Sequence, residues 1–263
     1  AQGVAEEQAR NAEKIAEIEK QKYLKLVIIK SAKPNIFIAG ADIKEIEKIT
    51  EAAVGESLAR KGQAILARLA ALRVPTLAVI DGSCLGAGLE FALACSFRLV
   101  TDNPKTQLGL PEVSLGILPG FGGTQRLPKL IGLQQGLSLI LTGKPVDGKK
   151  ALKLKLADKL VASAYLPEKT LEFAQELLNE RTRKKYFKKR KQKALMDRIL
   201  EDNPWGRALV YRMTAKSLRQ QTKGFYPAPL KALTVIKKTY GSWGVKRGYR
   251  SEAKALGELI VTG

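Results

Sequence analysis

AVIDGSCLGAGLEFALA, residues 78–94, decides how the rest of the chain is read. Its opening completes TLAVI (76–80), a short apolar run that predicts a buried strand. Asp81 and Gly82 break that run, SCLGAG predicts a glycine-punctuated loop, and LEFALAC predicts a short apolar helix. Glu90 falls in the first turns of that helix, where burying a carboxylate is costly. One reading is a carboxylate facing water and stabilised by the helix dipole. The other is chemical. Small residues let a ligand approach the backbone, and free N–H groups at a helix start can meet developing negative charge.

Working outward, FIAGADI (37–43) has the same character, with extended residues at 37–39 running into a glycine bend. Two amides from two such loops make an oxyanion hole, although either motif alone is usually tight packing. LKLVIIK (24–30) predicts a buried strand, and residues 1–20 a charged amphipathic helix with Val4, Ile15 and Ile18 loosely on one face. Leu58, Ile65, Leu69 and Leu72 predict a second helix that Pro75 ends. Beyond the central stretch, FRLVT predicts a strand and TQLGLPE a short extended piece entering a loop. GFGGTQRLPKLIG and LQQGLSLILTG predict two helices separated by Gly132. Strand–helix alternation over residues 1–161 argues α/β layering. From Leu166 the pattern is mainly helical, with Leu171, Phe173, Leu177 and Leu178 as expected core positions. A boundary near residue 165 divides a core, 1–165, from a helical extension and linker-helix region, 166–263.

Composition narrows the chemistry. The 263 residues contain no His, which removes Ser-His-Asp triads, Cys-His pairs and His-containing zinc sites. The two cysteines, Cys84 and Cys95, allow neither a disulfide framework nor a four-cysteine metal site, and are expected to be buried thiols. Acid–base chemistry must then rest on carboxylates, lysines, tyrosines or backbone. Glu112, in LGLPEVSLGILPG, is a second carboxylate among apolar residues. Burial can raise one pKa so that one carboxyl serves as acid and its partner as base. No apolar run approaches a membrane span, and the charged N-terminus is not a signal peptide. A formal charge of +21 favours a polyanionic partner, and its densest run is RTRKKYFKKRKQK, Arg181 to Lys193. That run reads equally as a solvated helical face or as a contact for anionic membrane or RNA.

FIAGADI, AVIDGSCLGAGLEFALA, TQLGLPEVSLGILPGFGGTQRLPKLIG (106–132) and LTGKPVDGKKALKLKLADKLV (141–161) resemble the enoyl-CoA hydratase (crotonase) superfamily. KTQLGLPEVSLGILPG, QTKGFYPAPLK and GELIVTG look like the hydratase region of multifunctional β-oxidation α subunits, the mitochondrial trifunctional form and its bacterial counterparts. The resemblance implies a ββα spiral core with a C-terminal helical extension. It implies Glu90 and Glu112 as the catalytic pair, and the amides of Ala41 and Ala87 as the oxyanion hole. It also implies that Ala39, Gly40, Asp42 and Ile43 lie in the segment lining the coenzyme A and adenine side of the pocket. The reaction implied is hydration of a trans-2-enoyl-CoA to the 3-hydroxyacyl-CoA. No metal or redox cofactor is implied, coenzyme A being part of the substrate. Implied partners are a thiolase β subunit or further copies of the chain. The implied location is the mitochondrial matrix or inner membrane, or the bacterial cytoplasm.

The chain departs from that pattern in three ways. Ala87 stands where the family usually has glycine, so its Cβ is expected to crowd the thioester or resist a positive φ. The strands that open the family fold before its first helix are expected to be absent from these residues. No GxGxxG fingerprint follows a strand, so no dehydrogenase activity is expected. Two alternatives stay open: Δ3–Δ2 enoyl-CoA isomerisation on the same carboxylates, and a non-catalytic basic RNA-binding or structural subunit.

Overall fold

The strands alternate between two sheets. In the computed structural model, which describes residues 2–40, 43–222, 226–241 and 245–262, β1 (Val27–Lys30) enters one sheet and β2 (Ile36–Ile38) the other. β3 (Thr76–Ile80) returns to the first sheet and β4 (Ser83–Leu85) to the second. β5 (Phe97–Thr101) and β6 (Gln107–Gly109) repeat the step, and β7 (Val146–Asp147) and β8 (Lys159–Val161) close the two sheets. The orders are β1-β3-β5-β8, all parallel, and β2-β4-β6-β7, parallel except at its last pair. Helices follow the strand pairs. α1 (Gln2–Lys20) precedes the first pair; α2 (Ile43–Glu47) and α3 (Ala52–Ala70) follow it. α4 (Ala87–Ala94) follows the second pair. A 3-10 turn (Pro111–Leu115), α5 (Gly123–Ile131) and α6 (Leu133–Thr142) follow the third, and α7 (Gly148–Lys153) leads into β8. This is the strand–strand–helix spiral that the sequence implied.

The central strands behave as parallel strands covered on both faces do: TLAVI and FRLVT are buried at every position. β1 departs from expectation. It pairs only with β3, alternates half-buried with exposed positions, and leaves Ile28 37% exposed, because it is the edge of its sheet. SCL, expected as loop, is the strand β4, paired with β2 and β6. Three residues flanked by glycines give no periodicity from which a strand is read.

The C-terminal part is helical as expected: α8 (Leu166–Leu178), α9 (Glu180–Lys191), α10 (Leu195–Glu201), α11 (Pro204–Thr222), α12 (Pro227–Thr239) and α13 (Val245–Ile260). α8 buries Thr170, Phe173, Ala174 and Leu177, one face at helical spacing. Leu171 and Leu178, expected in the core, lie one position off that face and are exposed. α12 and α13 fold back on the first half of the chain, contributing Ala232, Ile236, Ala253 and Leu256 to the same core as Leu89, Leu118 and Leu127. The basic run lies on α9. Arg190 turns inward from it, bonding Asp158 Oδ2 at 2.6 Å and Ser96 O at 2.7 Å. Tyr186 and Phe187 pack on Phe97, so this helix is docked rather than merely solvated. Among the described residues no helix is long and apolar enough to cross a membrane.

Candidate active site

Where α4 begins, the backbone is held open by glycine. Gly86 has φ +55°, and a Cβ on it would stand 3.4 Å from Glu112 Oε1. Gly88 lies so close to β2 that a Cβ would collide with the carbonyl oxygen of Ile38. Ala87 sits between them and is not among the residues of positive φ. The expectation that a side chain at this position meets a forbidden φ is therefore corrected: the strain falls on Gly86. As the first residue of α4, Ala87 has an N–H with no intrahelical acceptor, and it lines a cavity.

That cavity has a volume of about 300 Å³. Glu90 and Glu112 both line it, as do Ala39, Gly40 and Ile43 of the predicted set. Ala41 and Asp42, predicted as oxyanion donor and substrate contact, lie outside the described residues. The remaining wall is mostly apolar and comes from distant parts of the chain, including Ile46, Leu58, Leu118, Leu256 and Ile260.

The two carboxyls have opposite surroundings. Glu90 is 2% exposed, and its Oε1 accepts the amides of Phe121 and Gly123, each at 2.7 Å. Burial raises its pKa to about 7, against the lowering effect of those two amides and of the Arg126 charge. Glu112 comes from the 3-10 turn after β6. Its Oε2 is shut off from solvent and has no hydrogen-bond partner, and burial and then the neighbouring Glu90 hold its pKa well above the ordinary range. One carboxyl is thus held as an acceptor by donors, while the other is placed to keep its proton. Both face an apolar chamber beside a free helix-terminal N–H, an arrangement suited to moving protons next to a polarised carbonyl.

A third carboxylate was not foreseen. Glu252 of α13 is 0% exposed and its oxygens accept from Gly122 N (2.6 Å), Thr124 N (3.0 Å), Thr124 Oγ1 and Gln63 Nε2 (3.1 Å). The signal was present: Tyr249, Ala253, Leu256 and Ile260 recur at helical spacing, and Glu252 lies on that apolar face. Cys84 and Cys95 are both buried free thiols, as expected. Among the described residues no group of three or more His, Cys, Asp or Glu side chains is arranged to hold a metal ion.

Fold and site together define the class: a crotonase-type α/β fold with carboxyl groups gathered around an apolar chamber. Residues 9–226 match the enoyl-CoA hydratase/isomerase family, and the chain belongs to that family. It is similar to the enoyl-CoA hydratase of Geobacillus kaustophilus HTA426, at 29% identity and a TM-score of 0.62 over 88% of this chain and 83% of that one. The enoyl-CoA hydratase of Bacillus anthracis is 27% identical, with a TM-score of 0.61 over 88% and 85% of the two chains. DspI of Pseudomonas aeruginosa is 28% identical, with a TM-score of 0.61 over 68% of each chain.

Proposed function

We propose that this chain hydrates trans-2-enoyl-CoA thioesters to 3-hydroxyacyl-CoA in fatty-acid β-oxidation. The observation that carries the reading is the unequal pair on one cavity wall: Glu90 held by two amides, and Glu112 half-buried with one oxygen shut off from solvent and unbonded. Glu90 is the base that activates water. Glu112 is the acid that protonates C2. The thioester oxygen, which gains charge as water attacks C3, is stabilised by the Ala87 N–H together with that of Ala41. The apolar lining suits an aliphatic acyl chain. The segments QTKGFYPAPLK and GELIVTG support a role as the hydratase region of a multifunctional α subunit beside a thiolase, in a mitochondrial or bacterial setting. Residues 1–165 would then form the hydratase core and 166–263 the helical extension. The exposed cations of α9, Arg181, Lys185, Lys188 and Lys189 among them, suit contact with an anionic membrane. Vesicle binding that ignored anionic lipid content would overturn that contact.

The test is the loss of conjugated enoyl-thioester absorbance with medium- and long-chain substrates. Glu90→Gln and Glu112→Gln are each expected to lower kcat by about 10²–10⁴-fold. A folded wild-type chain without hydration would overturn the reading. Δ3–Δ2 isomerisation would use the same two carboxyls, and the family description covers both reactions. Product analysis with a 3-enoyl-CoA separates them.

A further inference from the structure

The turn that holds Glu90 is itself held from the other side. Along Phe121–Thr124 the backbone amides alternate in destination: Phe121 and Gly123 donate to Glu90, while Gly122 and Thr124 donate to Glu252. Glu252 adds the Thr124 hydroxyl and Gln63 Nε2. Gln63 in turn reaches the carbonyls of Gly120 and Tyr249, both at 2.9 Å, tying α3 and α13 to the same turn. One four-residue segment is therefore clamped between two buried carboxylates, one at the cavity and one behind it. Glu252 does not line the cavity itself.

From this geometry we propose that Glu252 is a positioning residue, fixing the Phe121–Thr124 turn so that its alternate amides aim Glu90 at the substrate. The proposal rests on the hydratase reading for its kinetic consequence, though not for its structural one. A carboxyl is required at this position because each of its two oxygens accepts a backbone N–H, that of Gly122 at one and that of Thr124 at the other. Glutamine keeps the shape but offers one acceptor oxygen, and its amide nitrogen would face another N–H or O–H. The turn must then shift, and a displacement of about 1 Å at a reacting group can cost on the order of 10²-fold in rate.

Glu252→Gln is expected to lower kcat for enoyl-thioester hydration by about 10–10²-fold with KM little changed. Thr124→Val, a milder cut in the same clamp, should lower kcat less, and Thr124→Ser, which keeps the hydroxyl, should restore it. Amide hydrogen exchange supplies a readout independent of activity. In Glu252→Gln the Phe121 and Gly123 amides should exchange about tenfold faster or more, relative to those of β3, whose protection follows global stability. Unchanged kcat and unchanged relative protection in folded Glu252→Gln would overturn the proposal. So would a loss of protection equal in β3 and in the turn, which marks general destabilisation. If wild type fails to hydrate, the functional reading falls, while the exchange experiment still decides the role of Glu252.

Discussion

The two ends of α4 each carry buried charge, and they treat it differently. At the C-terminal end Arg98, 1% exposed, donates to the carbonyls of Ala92 (3.0 Å), Cys95 (2.8 Å) and Leu156 (2.7 Å). Asp158 answers it, taking the Arg98 amide at 2.9 Å and the Arg190 guanidinium at 2.7 and 2.6 Å. Cation, anion and helix C-terminus are matched there, and the cluster fastens β5, α4 and α9 together. At the N-terminal end Glu90, Glu112 and Glu252 bring three like groups together, answered mainly by backbone donors. Burying like charges is costly unless protons are retained, and retained protons are what an acid–base site requires. The first cluster reads as structure and the second as chemistry.

The sharpest way to break that division is to remove one member from each cluster. Asp158→Ala leaves two guanidinium groups without their counter-ion and is expected to cost about 3–5 kcal/mol of stability. Chemical denaturation measures this, and kcat per folded molecule should be unchanged. Glu112→Gln should do the reverse, abolishing most activity with little change in stability, since glutamine matches the shape of a carboxyl that keeps its proton. If Asp158→Ala cut kcat as deeply as Glu112→Gln with the fold intact, the two ends of α4 would not be separate in role.

How much of this was legible in the sequence follows from the range over which each contact acts. TLAVI, FRLVT and the pair of helices split at Gly132 could be read because their signal is local: β-branched runs, apolar spacing and a glycine break. Glu90 and Glu112 stood out because each is a carboxylate among apolar neighbours within a few residues. Glu252 was hidden, because its partners lie up to 189 residues away, and its only local trace is its place on the apolar face of α13. β1 looked buried from its composition, since an edge is defined by a missing neighbour, which the strand's own residues do not record. The positive φ expected at Ala87 was misplaced for a related reason. One of three adjacent small residues needed positive φ, and spacing alone did not say which.

A second comparison is through pH. Burial places the Glu90 pKa at about 7 and, with the Glu90 charge, the Glu252 pKa at about 8, both above the ordinary 4.5. A carboxyl whose folded pKa is raised binds more protons folded than unfolded between those values. Its contribution is therefore full at low pH and is lost as pH rises through the folded pKa. Unfolding free energy should fall from about pH 5 to about pH 8, and the slope should flatten in Glu252→Gln. The carboxyls coupled to Glu252 are Glu90 and Glu112, while Tyr249, raised by burial above the ordinary phenol range, stays neutral throughout; Arg126 faces Glu90 and Tyr249 as the nearby cation. Arg98, lowered only to about 10, stays charged throughout and adds no slope. Denaturant titrations at pH 5, 6.5 and 8 measure the difference, and a wild-type stability that rises across this range would contradict the assignment of retained protons to the glutamate end.

The smallest effect is expected at Ala87. Its φ is not positive, and its neighbours carry the two constraints that need glycine, so the backbone accepts the methyl group where it stands. Ala87→Gly should leave kcat/KM within the same order of magnitude and cost at most about 1 kcal/mol of stability, through the lower helix propensity of glycine. Gly86→Ala is the contrast. It forces a Cβ onto φ +55° and toward Glu112 Oε1, and should cost about 1–3 kcal/mol while disturbing the acid. Thermal unfolding and hydration kinetics on the pair test this directly. A gain of an order of magnitude or more in Ala87→Gly would mean that the methyl crowds the thioester after all, and that the active-site end of α4 is obstructed rather than fully formed.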